Sequence, residues 1–137
     1  MKTTDQIILL ADDDIDDRAI INEIFSAHSK DIFILNVSDG EEVIYRLDEL
    51  ASYNLRPCLI ILDVNMPKID GKQTLKLIRQ RPDVKNCQVV LFSTASDTRN
   101  EQFAKDHNAD YIVKPFSYSK MESVVKQFIS RCNATAG

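Results

Sequence analysis

The chain has 137 residues, 44% hydrophobic and 28% charged, the make-up of one globular domain long enough to bury a core. A net charge of −4 with no basic stripe argues against nucleic acid as a direct partner. No apolar run nears membrane-spanning length and no signal-type segment opens the chain; three cysteines without CxxC spacing (Cys58, Cys87, Cys132) read as small apolar residues of a reducing, cytoplasmic compartment.

Short apolar runs alternate with amphipathic ones along the whole chain. The first run, IILLA at 7–11, leads into five aspartates, Asp12, Asp13, Asp14, Asp16 and Asp17. A helix is predicted over 15–28, with Ile20, Ile21, Ile24 and Phe25 on one face. Next come IFILNV at 32–37 and a helix over 40–52 carrying Val43, Leu47, Leu50 and Ala51. CLIILD at 58–63 precedes a helix over 72–81 that offers Leu75 and Ile78. QVVLFS at 88–93 precedes residues 97–107, whose only apolar anchors are Phe103 and Ala104, so this helix should be the least firmly docked. DYIVK at 110–114 comes before the cleanest helical pattern, 117–132, with Met121, Val124, Val125, Phe128, Ile129 and Cys132. Residues 1–132 form the expected domain, and 133–137 a frayed tail.

The runs at 7–11, 58–63 and 88–93 are continuously apolar, which suits strands covered on both faces. The expected fold is therefore α/β, a doubly wound five-stranded parallel sheet between two layers of helices. In such sheets ligands bind beyond the carboxyl ends of the strands, at the topological switch point. Asp12, Asp13 and Asp14 end the first strand, Asp63 the third, Ser93 and Thr94 the fourth, and Lys114 the fifth. The second strand ends in nothing comparable, as expected of a strand set to one side. Carboxylates converging from two strands resist joint ionisation, and a hard divalent cation such as Mg²⁺ resolves the conflict. A lysine and a hydroxyl beside them would hold the oxygens of a phosphoryl group, with Asp63 as candidate nucleophile.

In order and spacing, LLADDD, LIILDVNMPKIDG, VVLFSTAS and DYIVKPF resemble the receiver domains of two-component response regulators over essentially the whole chain. That resemblance implies the flavodoxin-like, CheY-like (βα)5 sandwich. It also implies a stand-alone, single-domain response regulator phosphorylated on Asp63 by a histidine kinase or histidine phosphotransfer protein. Asp13 then corresponds to the residue that binds Mg²⁺ directly and Asp12 to the one that binds through water, while Asn65 offers its backbone carbonyl. Ser93 corresponds to the switch hydroxyl, Lys114 to the phosphate-binding lysine and Tyr111 to the rotameric aromatic. The Lys114–Pro115 bond is typically cis in that family. The triple aspartate leaves the register of the acidic pair open by one residue, and Asp14 is placed at the helix N-cap. The downstream target is expected on the 97–132 face, with the protein a monomer or weak homodimer. By the same resemblance it is expected to promote its own phosphorylation and dephosphorylation and to turn over no free substrate.

Other readings share some of these residues. Asp12, Asp14, Asp16 and Glu23 fit a calcium-loop spacing, but Asp17 stands where that turn requires glycine. Haloacid-dehalogenase-type phosphatases use the same aspartate, Mg²⁺, hydroxyl and lysine, yet they need a further acidic motif, and Glu122 is the only acid beyond Lys114. A receiver fold that binds partners without phosphorylation is a third reading. Tyr111 as half-buried packing and Gly71 as a plain turn glycine are the simpler accounts of those two residues.

Overall fold

The computed structural model describes residues 6–136. Five strands, β1 (Gln6–Ala11), β2 (Ile32–Val37), β3 (Leu59–Asp63), β4 (Val89–Ser93) and β5 (Asp110–Val113), form one parallel sheet in the order β2-β1-β3-β4-β5. They alternate with α1 (Ile15–His28), α2 (Gly40–Ser52), α3 (Gly71–Gln80), α4 (Thr98–Asp106) and α5 (Tyr118–Ala136). The expected doubly wound α/β fold is thus present, and β2 lies at the edge.

The three continuously apolar runs became the sheet's centre, where a strand has no solvent face. Every residue of β3 and β4 is buried, whereas β2 is mostly half-buried and exposes Phe33 and Asn36. Alternate side chains feed two cores. Ile8, Leu10, Ile61 and Phe92 face Ile21, Ile24 and Phe25 of α1 and Met121, Val125 and Phe128 of α5. Leu9, Ile60, Leu62 and Leu91 face Val43 and Leu47 of α2, Leu75 and Ile78 of α3, and Ala104 of α4. The chain reverses its progression across the sheet between β1 and β3, so the switch point lies at the carboxyl ends of those strands.

Several local expectations change. Ile20 is 39% exposed, because α1 turns Ile21, Ile24 and Phe25 inward and leaves Ile20 at the rim. Ala51 is only half-buried near the end of α2. Helix α5 extends to Ala136, into the segment expected as the tail, and residue 137 lies outside the described residues. No cis peptide occurs among the described residues, so Lys114–Pro115 is trans. The cysteines are also not three independent apolar residues: Cys58 and Cys132, with Cα atoms 5.1 Å apart, are joined as a disulfide, and Cys87 is free. A cross-link spanning 74 residues constrains the unfolded chain by about 4 kcal/mol in the loop-entropy account.

The weakly anchored helix is α4, which buries only Ala104. Its far end is held from outside by Arg79 of α3, a residue that periodicity does not single out. The Arg79 guanidinium donates to the carbonyls of His107 (2.8 Å), Asn108 (2.9 Å), Cys87 (2.7 Å) and Lys85 (3.0 Å). It thereby satisfies backbone acceptors that the ends of α4 and of the loop before β4 would leave open. Arg79→Ala is expected to destabilise the fold by about 2 kcal/mol, read from urea midpoints, and Arg79→Lys to recover little because one ammonium cannot span four acceptors.

Candidate functional site

The carboxyl ends of β1, β3, β4 and β5 bring together the polar residues that end these apolar strands. Asp12, Asp63, Ser93 and Lys114 are all buried, while Asp13 is exposed at the rim. One carboxylate oxygen from each of Asp12, Asp13 and Asp63 lies within 4.8 Å of the others. Lys114 reaches into this cluster: its Nζ is 2.6 Å from Asp12 Oδ2, 3.0 Å from Asp17 Oδ2 and 3.4 Å from Asp63 Oδ2. Asp17, one of the five aspartates, is a half-buried partner of the lysine. A spacing argument misses it because it acts from the first turn of α1, not from a strand end.

The three consecutive aspartates separate by environment. Asp14 is the N-cap of α1 and accepts from the backbone N–H groups of Asp16 (3.0 Å) and Asp17 (3.1 Å). Asp12 Oδ1 accepts from the Asp14 N–H at 2.9 Å, which fixes the turn and leaves Oδ2 for the lysine. Asp63 Oδ1 accepts from the Asn65 N–H at 3.1 Å. Ser93 Oγ accepts from the Ala95 N–H at 3.2 Å, and the Tyr111 hydroxyl donates to the Ala95 carbonyl. The Ala95 backbone is therefore held from both sides, by Ser93 at its N–H and by Tyr111 at its carbonyl.

Gly71 is not a turn glycine in the left-handed sense, since no glycine among the described residues has positive φ. It opens α3 directly over the end of β3. A Cβ there would lie 2.2 Å from the Asp63 carbonyl oxygen and 2.9 Å from Val64 Cα. Both are backbone atoms that cannot swing aside. Gly71→Ala is expected to cost about 2 kcal/mol and to shift the Asp63 backbone. Urea midpoints measure the first effect, and the chemical shifts of residues 62–66 the second.

The electrostatics follow from burial. Withdrawal from water, together with the charge of Asp12, pushes the Asp63 carboxyl up to about 6, although Lys114 and the Asn65 N–H pull the other way. Burial alone would lower Lys114, but the hydrogen bond and charge of Asp12, with Asp63 and Asp17 behind it, raise its pKa above the ordinary lysine value. At neutral pH the site holds an ammonium and a carboxylate that is ionised yet more basic than usual, which suits a nucleophile.

Residues 8–126 match the response regulator receiver domain family. The chain belongs to that family. Members act mostly as signalling switches, not as enzymes. This receiver is 30% identical over 113 residues to the response regulator Rcp1 of Synechocystis sp., an alignment covering 81% of this chain and 69% of Rcp1. Its fold superposes on the crystal structure of the phosphorylated cyanobacterial phytochrome response regulator RcpA with a TM-score of 0.86, at 29% identity and 96% coverage of each chain. The Mn²⁺-bound form of Rcp1 gives a TM-score of 0.80 at 28% identity, covering 91% of this chain and 92% of that one. Some curated relatives are longer: the receiver spans 46% of the probable transcriptional regulator ycf27 of Guillardia theta, at 30% identity.

Receiver domains bind a divalent metal, and the donor set here fits one. The oxygens of Asp12, Asp13 and Asp63 are hard ligands within reach of a single ion. Burial, the main cause of the upward shift of Asp63, makes its ionised form costly, and a cation among these oxygens would offset that cost.

Proposed function

We propose that this receiver accepts a phosphoryl group on Asp63 from a phosphohistidine donor, a histidine kinase or histidine phosphotransfer protein, and signals through the resulting change in a protein-binding face. One observation carries this reading: a buried, basic carboxylate lies 3.4 Å from a buried ammonium, within a cluster of oxygen ligands at the switch point. An Asp63 oxygen attacks phosphorus in line, the P–N bond breaks, and its electron pair returns to the imidazole. Asp13, Asp63, the Asn65 carbonyl and, through water, Asp12 would hold Mg²⁺, whose charge offsets that of the transferring oxygens. Lys114 exchanges its contact with the Asp63 oxygen for one with a phosphoryl oxygen, remaining anchored by Asp12 and Asp17.

Ser93 and Tyr111 carry the signal outward. The Ser93 hydroxyl, free to donate, turns its hydrogen to the phosphoryl group and draws the 94–96 backbone inward. Tyr111 then loses its acceptor at Ala95 and turns toward the vacated space. Helix α4, which buries only Ala104, shifts most easily, so the 97–132 face is the target-binding surface. The domain works in the cytoplasm as a monomer or weak homodimer, promoting its own phosphorylation and dephosphorylation without turning over a free substrate.

Acetyl phosphate with Mg²⁺ or with a chelator, read by intact mass, tests the reading. Gain of one phosphoryl group with Mg²⁺ and none with chelator is the expected result. Steady phosphate release without an adduct would instead indicate a phosphatase, and neither adduct nor release would indicate a module that signals by binding alone.

A further inference from the structure

The C-terminal half of α5 is tied to the edge of the sheet opposite the phosphoryl site. The Gln6 side chain of β1 donates to the Cys132 carbonyl at 2.8 Å, and Gln88, just before β4, donates to the Arg131 carbonyl at 3.2 Å. Arg131 pairs with Asp110 of β5 at 2.6 Å. The covalent tie is the Cys58–Cys132 disulfide, joining the residue before β3 to a helix that also forms part of the proposed target face. Its two residues differ in burial: Cys58 is half-buried and Cys132 fully buried.

We infer that Cys58 and Cys132 form a reversible thiol–disulfide couple whose redox state sets how firmly the lower half of α5 is held to the sheet. Disulfides inside cells, the location proposed above, are mostly transient and redox-sensing, and this one closes a 74-residue separation with Cys58 the less buried partner. Reduction is balanced with a small thiol such as glutathione. Its thiolate attacks the Cys58 sulfur, the Cys58–Cys132 bond breaks, and Cys132 leaves as a thiolate that takes up a proton. A second glutathione thiolate attacks the mixed disulfide, releasing oxidised glutathione and the Cys58 thiolate. Two electrons pass from the two glutathiones to the pair, and oxidised glutathione drives the reverse.

Cys87 is not part of the couple. It packs on the other core, and burial pushes its thiol pKa up, which keeps it protonated and unreactive. With the disulfide closed, α5 is pinned at its lower end, and the phosphorylation response is confined to its upper turns. With the disulfide open, that end loses its covalent tie and is held by non-covalent contacts, Gln6, Gln88 and Arg131 among them, so the whole helix follows α4 more easily. The link to signalling rests on the target face proposed above, and the couple on the proposed cytoplasmic location but not on the phosphoryl site.

The test uses the full chain carrying Cys87→Ser, equilibrated in defined ratios of reduced and oxidised glutathione. Alkylation followed by intact mass reads the thiol state, and amide exchange of 126–136 reads the helix. The expected result is conversion between dithiol and disulfide across these buffers, with exchange in 126–136 about tenfold faster in the reduced form. The midpoint of thermal unfolding should fall by about 10 °C on reduction. Cys58→Ser in oxidising buffer should reproduce the reduced behaviour. Two free thiols at every ratio, or a disulfide whose opening leaves exchange in 126–136 unchanged, would overturn the inference. Phosphoryl uptake from acetyl phosphate is expected in both redox states; its absence from both would overturn the receiver mechanism and leave the couple standing.

Discussion

Asp63→Asn is expected to abolish phosphoryl uptake and, in metal-free buffer at pH 7.5, to make the protein more stable. The two effects share a cause. Burial raises the Asp63 carboxyl to about 6, so at neutral pH the fold carries an ionised group that its surroundings disfavour. With a folded pKa above the unfolded one, the folded chain binds more protons between the two values, and stability falls as pH rises through that window. The wild type is therefore favoured by this group below about pH 4 and loses the benefit by about pH 6, a change of about 3 kcal/mol. Asparagine resembles the neutral acid and does not titrate. The variant should melt about 8 °C higher at pH 7.5, with the difference closing toward pH 4. Mg²⁺ should narrow the gap from the other side, because it stabilises the ionised wild type and has less to gain from the amide. Melting curves at pH 4, 5, 6 and 7.5, with and without Mg²⁺, separate these contributions. A variant no more stable than wild type at pH 7.5 would show that Lys114 compensates Asp63 fully.

Lys114→Met is expected to act in the opposite direction and to be the most damaging single change in the site. The ammonium is buried, with Asp12, Asp17 and Asp63 all within 3.4 Å. Removing it leaves Asp12, the least exposed of the three, as a buried carboxylate without its cation, at a cost of about 3 to 5 kcal/mol. Lys114 itself holds Asp63 down to about 6, so without it Asp63 protonates at a higher pH, and the penalty should shrink as pH falls toward about 6. The double variant Lys114→Met with Asp63→Asn should recover part of the loss, because one of the stranded charges is gone. A double-mutant cycle in urea measures that coupling, and simple additivity of the two changes would contradict the contact. Phosphoryl uptake should slow by about a hundredfold, the scale expected when one preorganised donor to a developing charge is lost.

Much of this was legible in the chain because buried parallel strands are apolar throughout. Any polar residue at their carboxyl ends stands out, and four strands end at one edge of the sheet. Strand ends alone bring Asp12, Asp13, Asp63, Ser93 and Lys114 to one edge, where the structure also places them, and the helix-capping preference assigns Asp14 to the N-cap it occupies. Features that depend on tertiary approach were not legible. Gly71 reads as a turn residue until the Asp63 backbone is seen passing beneath it. Arg79 falls on a helix of ordinary polarity, and its importance lies in four carbonyls from other segments. Asp17 looks like one more charge in an acidic helix start until Lys114 arrives from β5. Cys58 and Cys132 are 74 positions apart with no motif between them, so only the docking of α5 across the sheet reveals the pair. The trans Lys114–Pro115 bond departs from what the family resemblance implied, and the backbone still delivers the lysine to the carboxylates.

The central claim is that Asp63, and no other carboxylate of the cluster, takes the phosphoryl group. Reduction of the phosphorylated protein with borohydride converts an aspartyl phosphate to homoserine, and peptide sequencing by mass spectrometry then locates it. The account predicts homoserine at position 63 and unaltered aspartate at Asp12, Asp13, Asp14 and Asp17. Homoserine at any of those four positions, with Asp63 intact, would contradict it.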